Sequence, residues 1–291
     1  NTYYSIVWKG NKTMLLAVDV GNTNISLGLI KGEEIVGSFR LITKTERTSD
    51  ELGVMVYELL QRAGVKPEDI EDVVISSVVP KIMYTLCSCM KKYLGKTPLV
   101  VGPDLHMEIK LKAENPKAVG ADRIVDCTYG YRKCKGSCII VDFGTATTFD
   151  YVNNEGEFQY TVIAPGLGIS ATALTSQTAK LPEIEIKKPE SVLGTNTITG
   201  MQSGVVYGYI GTVEYILKEM KKALNDYDCT VIATGGLGRV IASETDEIDE
   251  YDPDVAYKGI RILYELNKIK EDMQELISMP EASSFKDVFE N

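Results

Sequence analysis

Histidine is nearly missing from this chain. A single one, His106, occurs in 291 residues, so chemistry built on an imidazole base or a His-rich metal cage has almost no material. Cysteine occurs six times but in no ligand spacing: Cys87 and Cys89 stand one residue apart, and Cys127, Cys134, Cys138 and Cys229 are scattered. They are expected to be free, mostly buried thiols in a reducing compartment. Positive charge is also short. Lys and Arg number 31 against 41 Asp and Glu, a formal net charge of -10, which argues against a nucleic-acid partner because a phosphate backbone demands clustered basic residues. A local basic pocket for a small anion remains compatible with that balance. No apolar run is long enough to span a bilayer and no signal-peptide pattern opens the chain, so the expectation is a cytoplasmic protein with no membrane partner. Neither GxxxxGK[ST] nor GxGxxG occurs, which leaves P-loop and dinucleotide-fold chemistry without support.

What is present is one pattern written twice. Residues 16–29 read LAVDVGNTNISLGL and residues 139–152 read IIVDFGTATTFDYV. Each is an apolar run ending in Asp, then one residue, a Gly, and small hydroxyl or amide residues before an alternating stretch. The first copy predicts strands at 15–20, 25–30 and 35–41, and the second at 138–141, 148–152 and 158–163, with polar turns between them. A helix is expected over 50–63 from the stripe Leu52, Val56, Leu59 and Leu60, and a buried strand over 72–78. A further helix over 204–224 and a strand over 230–233 complete an alternating α/β protein. The chain length suits two domains, divided near Gly136. Residues 1–13, polar and rich in Tyr, look foreign to the strongly patterned strand that begins at Met14 and are expected to be a leader or upstream extension.

Duplication of this kind predicts a cleft between two like halves. Each Asp-x-Gly turn would present a carboxylate and backbone N–H groups: Gly permits close approach of a phosphate, hydroxyls donate, and the acid holds a cation that offsets phosphate charge. A hairpin turn made of Asp, Asn and Gly for conformational reasons alone would look the same in either copy taken singly. The matched pair, with Thr234-Gly-Gly-Leu-Gly238 at another strand end, favours the nucleotide reading. Gly120-Ala-Asp-Arg123 opens a predicted helix, where Asp122 can accept a proton from a hydroxyl and Arg123 can grip a carboxylate. The same two residues also fit a charge pair that only stabilises a helix start.

Taken in order, the motifs resemble those of type III pantothenate kinases, within the acetate and sugar kinase/Hsp70/actin superfamily. They are DVGNTN at 19–24, Ser76-Ser-Val-Val-Pro80, NPKAVGADRI at 115–124, DFGTATTFD at 142–150, Ala164-Pro-Gly166, Leu193-Gly-Thr-Asn-Thr197, Met201-Gln-Ser-Gly204 and Ala233-Thr-Gly-Gly236, covering Met14 to about Asn267. The resemblance implies duplicated actin-like, ribonuclease H-like α/β domains with an ATP cleft between them. The expected division of the chain is 14–136, with the phosphate loop and acceptor residues, 137–270, and a tail at 271–291. It implies ATP-dependent phosphorylation of the primary hydroxyl of pantothenate, with Mg²⁺ and a monovalent cation (K⁺ or NH₄⁺), in a homodimer. By motif, Asp19, Val20, Gly21, Asn22, Thr23, Asn24, Ile25 and Ser26 form the first phosphate loop, and Thr145 is a further ATP contact. Asp122 is the proton acceptor, Gly120, Ala121, Asp122 and Arg123 line the pantothenate pocket with Thr197, and Asp142 is the monovalent-cation ligand.

Three departures fall around the acceptor. Ala113-Glu114 stands before Asn115-Pro116 where the family commonly has Tyr-Asp; Tyr160-Thr161 replaces a Gly-Gly pair; and Asp104-Leu-His-Met-Glu108 replaces Gly-x-Lys-Thr-Gly, so that His106 is no catalytic candidate. They keep two alternatives open: a kinase of the same fold with a shifted hydroxy-acid acceptor, and a nucleotide-binding accessory protein of low turnover.

Overall fold

The computed structural model describes residues 13–278; of the expected leader only Thr13 falls among them, and the expected tail beyond Ser278 lies outside them. The chain forms two compact units. One takes the chain up to Met107, returns for Gly120–Val125, and holds the chain from Tyr257 onward; the other comprises Glu108–Val119 and Asp126–Ala256.

In the first unit β1 (Met14–Val20), β2 (Asn24–Lys31) and β3 (Glu34–Ile42) form an antiparallel meander, followed by α1 (Ser49–Arg62), β4 (Ile70–Ser77), α2 (Met83–Cys89) and the short β5 (Leu99–Val100). The sheet order is β3-β2-β1-β4-β5, with β4 parallel to β1 and β5 parallel to β4. Period-two alternation sorts the faces. Leu16, Val18 and Val20 of β1 join Ile25, Leu27 and Leu29 of β2 in a core with Leu52, Val56 and Leu60 of α1 and Leu86 of α2. α1 begins where its capping box dictates: Glu51 N donates to Thr48 Oγ1 at 3.2 Å, and Thr48 N donates to Glu51 Oε2 at 2.7 Å.

The second unit opens with the short β6 (Lys110–Leu111). It then takes the longer part of α3 (Ala121–Cys134), whose first turn belongs to the first unit. β7 (Cys138–Phe143), β8 (Ala146–Val152) and β9 (Glu157–Pro165) make a second meander, followed by α4 (Leu167–Ser176), α5 (Thr197–Leu224), β10 (Thr230–Thr234), α6 (Gly238–Ala242) and β11 (Glu250–Tyr251). The sheet order is β11-β10-β7-β8-β9-β6, with β10 parallel to β7 and β11 parallel to β10. Read from β9 to β11, this repeats the order and strand sense of β3 to β5. One face, through Ile139, Val141 and Phe143, packs on Leu167 of α4 and on Val206, Val213 and Leu217 of α5. α5 starts seven residues before the predicted 204, because Asn196 caps it: Thr199 N donates to Asn196 Oδ1 at 3.0 Å.

The last helix, α7 (Val255–Ser278), belongs to the first unit from Tyr257 and runs on past residue 271, where the sequence suggested a second domain to 270 and then a tail. The reason is burial. The second face of the first sheet carries the buried Ala17 and its cross-strand partner Gly28 and needs an apolar cover. α7 supplies it: the Tyr257 ring lies over Gly28, where a Cβ would come within 2.6 Å of it. Tyr264 Oη donates to Asp72 at 2.5 Å, and Lys268 Nζ reaches Glu71 at 2.8 Å and Asp72 at 3.1 Å. No helix among the described residues is long and apolar enough to cross a membrane.

Candidate functional site

Asp19 is the penultimate residue of β1, and its cross-strand neighbours are Ser26 on β2 and Ser76 on β4. Residues paired across strands point to the same face, so a carboxylate sits in a row between two hydroxyls. Burial pushes the Asp19 carboxyl up to about 6; the negative charge of Asp122 acts in the same direction, and the Ser76 hydroxyl in the opposite one. Ser76 Oγ is buried and, among the described residues, makes no hydrogen bond of regular geometry. A half-buried acid with a raised pKa, in a row with two hydroxyls, suits a cation or its bound water as a partner.

The turn after Asp19 is clamped from a direction the sequence does not signal. Gly21 N donates to Asn24 O at 2.9 Å, while Thr43, just past β3, donates its hydroxyl to Gly21 O at 2.8 Å and its N–H to Thr23 O at 2.9 Å. Asn22 and Thr23 are exposed at the tip, whereas Val20 and Ile25 point into the core and can offer backbone groups only. Thr43 looks like any loop threonine in sequence; only the meander brings it to the turn.

Gly120, Ala121, Asp122 and Arg123 form the start of α3 in the same unit. Arg123 N donates to Asp122 Oδ1 at 2.8 Å, so the carboxylate folds back over the first turn and above Gly120. A Cβ on Gly120 would also meet Val78 Cγ1 at 3.4 Å. Three motifs distant in sequence therefore converge in the first unit: the turn after β1, the Ser76–Pro80 segment after β4, and the start of α3.

In the second unit Asp142 is the penultimate residue of β7, flanked across strands by Thr148 on β8 and Thr234 on β10. The row Thr148–Asp142–Thr234 matches Ser26–Asp19–Ser76. Gly235 presses on it with φ +91°, and a Cβ there would fall 2.6 Å from Asp142 Oδ1; Tyr251 Oη donates to Gly235 O at 2.9 Å and holds that peptide. Thr145 is exposed at the neighbouring turn, where Gly166 N donates to Thr145 O at 3.1 Å. Tyr209 of α5, buried, places its hydroxyl 2.5 Å from Thr147 Oγ1 and donates to Pro165 O at 3.0 Å, joining β8 to the end of β9. Thr197 is the exposed first residue of α5.

The departures are also located. Lys112 N donates to Phe158 O at 2.9 Å, which extends the parallel β6–β9 pairing to the residue before Ala113. The Tyr160 ring stacks on Tyr151 with centroids 6.5 Å apart. His106 engages Asn267 through its backbone, at 3.0 and 2.9 Å. All six cysteines are free, and among the described residues no three or more His, Cys, Asp or Glu are grouped as a metal cage. A cavity of about 400 Å³ lined by Asp72, Thr97, Leu99, Tyr264 and Lys268 opens at the start of β4, the opposite end of that strand from Ser76.

Comparison with known proteins agrees with the motif order. The family model for type III pantothenate kinase matches residues 15–219. A type III pantothenate kinase of Agathobacter rectalis is 49% identical over 86% of this chain and 96% of that relative, and one of Bifidobacterium longum is 44% identical over 87% and 99%. Among solved structures, a Campylobacter jejuni protein described as a Baf family transcriptional activator superposes with a TM-score of 0.52 at 17% identity, covering 87% of this chain and 98% of that one. A Sinorhizobium meliloti protein described as a 2-dehydro-3-deoxygalactonokinase reaches 0.52 at 10% identity, covering 86% and 95%. At such identities both speak to the fold alone. The chain belongs to the type III pantothenate kinase family and has the α/β fold of the acetate and sugar kinase/Hsp70/actin superfamily.

Proposed function

We propose that the chain is a cytoplasmic enzyme that transfers the terminal phosphoryl group of ATP to the primary hydroxyl of pantothenate, giving 4'-phosphopantothenate for coenzyme A synthesis. The observation that carries the reading is the pair of acids in the first unit, Asp19 at the phosphate turn and Asp122 at the start of α3, close enough for one charge to raise the pKa of the other. Phosphoryl transfer asks for alignment and charge neutralisation more than for covalent chemistry. The clamped turn from Val20 to Asn24 offers backbone N–H groups, with Asn22, Thr23 and Ser26 side chains, to the nucleotide phosphates. Asp122 takes the proton of the acceptor hydroxyl, and Arg123 holds the pantothenate carboxylate. The equivalent rows around Asp19 and Asp142 support descent of the two sheets from one duplicated domain.

The donor sets fit the expected ions. The Asp19 carboxylate in its row with the Ser26 and Ser76 hydroxyls suits hydrated Mg²⁺, which keeps its waters and takes few protein ligands. Asp142 between Thr148 and Thr234 suits a monovalent K⁺ or NH₄⁺. Bound, these ions supply positive charge against the phosphates; Thr145 would contact the nucleotide and Thr197 the acceptor. A homodimer is also proposed, on the open face of α5. Gly204, Gly208 and Gly211 line that face, with no atom of another segment among the described residues within 4 Å of where a Cβ would sit, and Tyr215 follows them, 66% exposed.

The decisive assay is ATP-dependent phosphorylation of pantothenate with Mg²⁺, with and without K⁺, against a panel of related hydroxy acids. Turnover of pantothenate is the expected result. Ala113 and the stacked Tyr160 favour one second reading, a shifted acceptor, which preferred turnover of another hydroxy acid would establish. Nucleotide binding without turnover of any acceptor would sink both.

A further inference from the structure

Met201-Gln-Ser-Gly204 is a motif with no role in the chemistry above. It lies early in α5, where Gln202 and Ser203 are each only 4% exposed. A buried amide and a buried hydroxyl are costly without partners, and both partners here are backbone carbonyls of the connection that precedes the helix. The Gln202 side chain donates to Glu185 O at 2.9 Å, and Ser203 Oγ donates to Val192 O at 2.5 Å.

That connection contains no helix or strand between Ser176 and Thr197. A loop of this length has no ladder to fix its path, so its shape depends on what it is tied to. Ile184 and Ile186 rest on the core of the unit, and Lys188 pairs with Glu244. Near its end Gly194 approaches the helix so closely that a Cβ would lie 2.4 Å from Gly200 Cα. Thr195 N and Asn196 N both donate to Thr199 Oγ1, at 3.1 and 3.2 Å. The segment is thus strapped along the first turns of the helix it leads into, and the two buried side chains of the motif hold the strap at positions 185 and 192.

We propose that Gln202 and Ser203 are positioning residues for acceptor recognition, fixing the 185–196 strap and so the orientation in which Thr197 is delivered to pantothenate, resting on the reading that Thr197 contacts the acceptor. Both side chains are engaged by backbone carbonyls of the strap. Their effect passes through the two carbonyls, and it should fall on the acceptor and leave the nucleotide turn of the first unit untouched.

Steady-state kinetics with ATP and pantothenate varied separately, on the parent, Ser203→Ala, Gln202→Leu, Gly194→Ala and Thr197→Ala, tests this. Loss of one hydrogen bond to a carbonyl should raise KM for pantothenate about fivefold in Ser203→Ala and in Gln202→Leu, with KM for ATP within twofold of the parent. Gly194→Ala disturbs the strap without touching the buried helix side chains and should give the same selective rise, which covers the case of a helix variant that fails to fold. Equal changes in both KM values, or a fall in kcat with pantothenate KM unmoved, would reduce the motif to a structural role and overturn the proposal. Thr197→Ala separates the two readings. If it alone is silent, the acceptor contact lies elsewhere on the strap and positioning stands; if it raises pantothenate KM while the other three are silent, positioning is wrong.

Discussion

Above pH 6 the folded chain must carry a negative charge on Asp19 that burial and the neighbouring Asp122 both disfavour. The folded pKa, about 6, exceeds the ordinary value of 3.8, so the folded state holds this proton more tightly than the unfolded one. The resulting cost is absent below the unfolded pKa, grows between the two values, and is complete above about 6. A shift of this size corresponds to roughly 2 to 3 kcal/mol. Asp19→Asn should therefore raise the melting temperature by several degrees at pH 7.5 and leave it nearly unchanged at pH 3.5, while abolishing phosphorylation; equal shifts at both pH values would show that the charge is not what costs stability. Asp122 is the natural companion experiment. Asp122→Asn keeps the size of the side chain but removes proton acceptance, so turnover should drop about 10²- to 10⁴-fold with nucleotide affinity retained. It should also bring the Asp19 pKa down, read by NMR titration of the carboxyl carbon. Near-normal turnover would leave Asp122 as a helix-start residue only.

At the scale of elements, the turns proposed to carry the chemistry lie at strand ends, and neighbouring elements hold them. Thr43 does this for the turn after β1 through its 2.8 Å bond to Gly21 O. Thr43→Val is nearly isosteric and removes that one bond, worth on the order of 1 kcal/mol, so KM for ATP should rise several-fold with pantothenate KM unmoved. An unchanged ATP KM would mean that β2 and β3 hold the turn unaided. After β10, Gly235 takes a conformation that disfavours a side chain and abuts the Asp142 carboxylate. In Gly235→Ala the new methyl must displace Asp142, and activation by K⁺ over Na⁺, compared at constant ionic strength, should disappear along with most of the activity. Persistence of K⁺ selectivity in this variant would move the cation away from Asp142.

At the scale of the molecule, α5 buries one side in the second unit and leaves the Gly204–Gly208–Gly211 stripe and Tyr215 open. Gly208→Arg should convert a dimer to a monomer in sedimentation equilibrium. Replacing a helix-interior Gly by Arg gains helix propensity by a few tenths of a kcal/mol or more, so a monomer with native circular dichroism cannot be blamed on an unravelled helix. A parent protein that is monomeric at micromolar concentration would end the proposal.

Much of this protein is local in origin and was readable from the chain. The two meanders, their Asp-x-Gly turns, α1 with its capping box and the start of α3 all follow from period-two or 3.6-residue patterns closed by turn and cap residues, and such patterns act over a few neighbours. The ordered motifs identified the family for the same reason. Alternation, however, says that a face is buried and not what covers it. Only the tertiary structure brought α7 back over Gly28 to the first sheet and set Ser76 beside Asp19 and Thr234 beside Asp142. Only it carried Thr43 to Gly21 and turned Gln202 and Ser203 onto carbonyls many residues upstream. These are contacts between segments far apart in sequence, chosen by which apolar faces remained to be covered and which buried polar groups remained to be paired; no window of neighbouring residues contains that information.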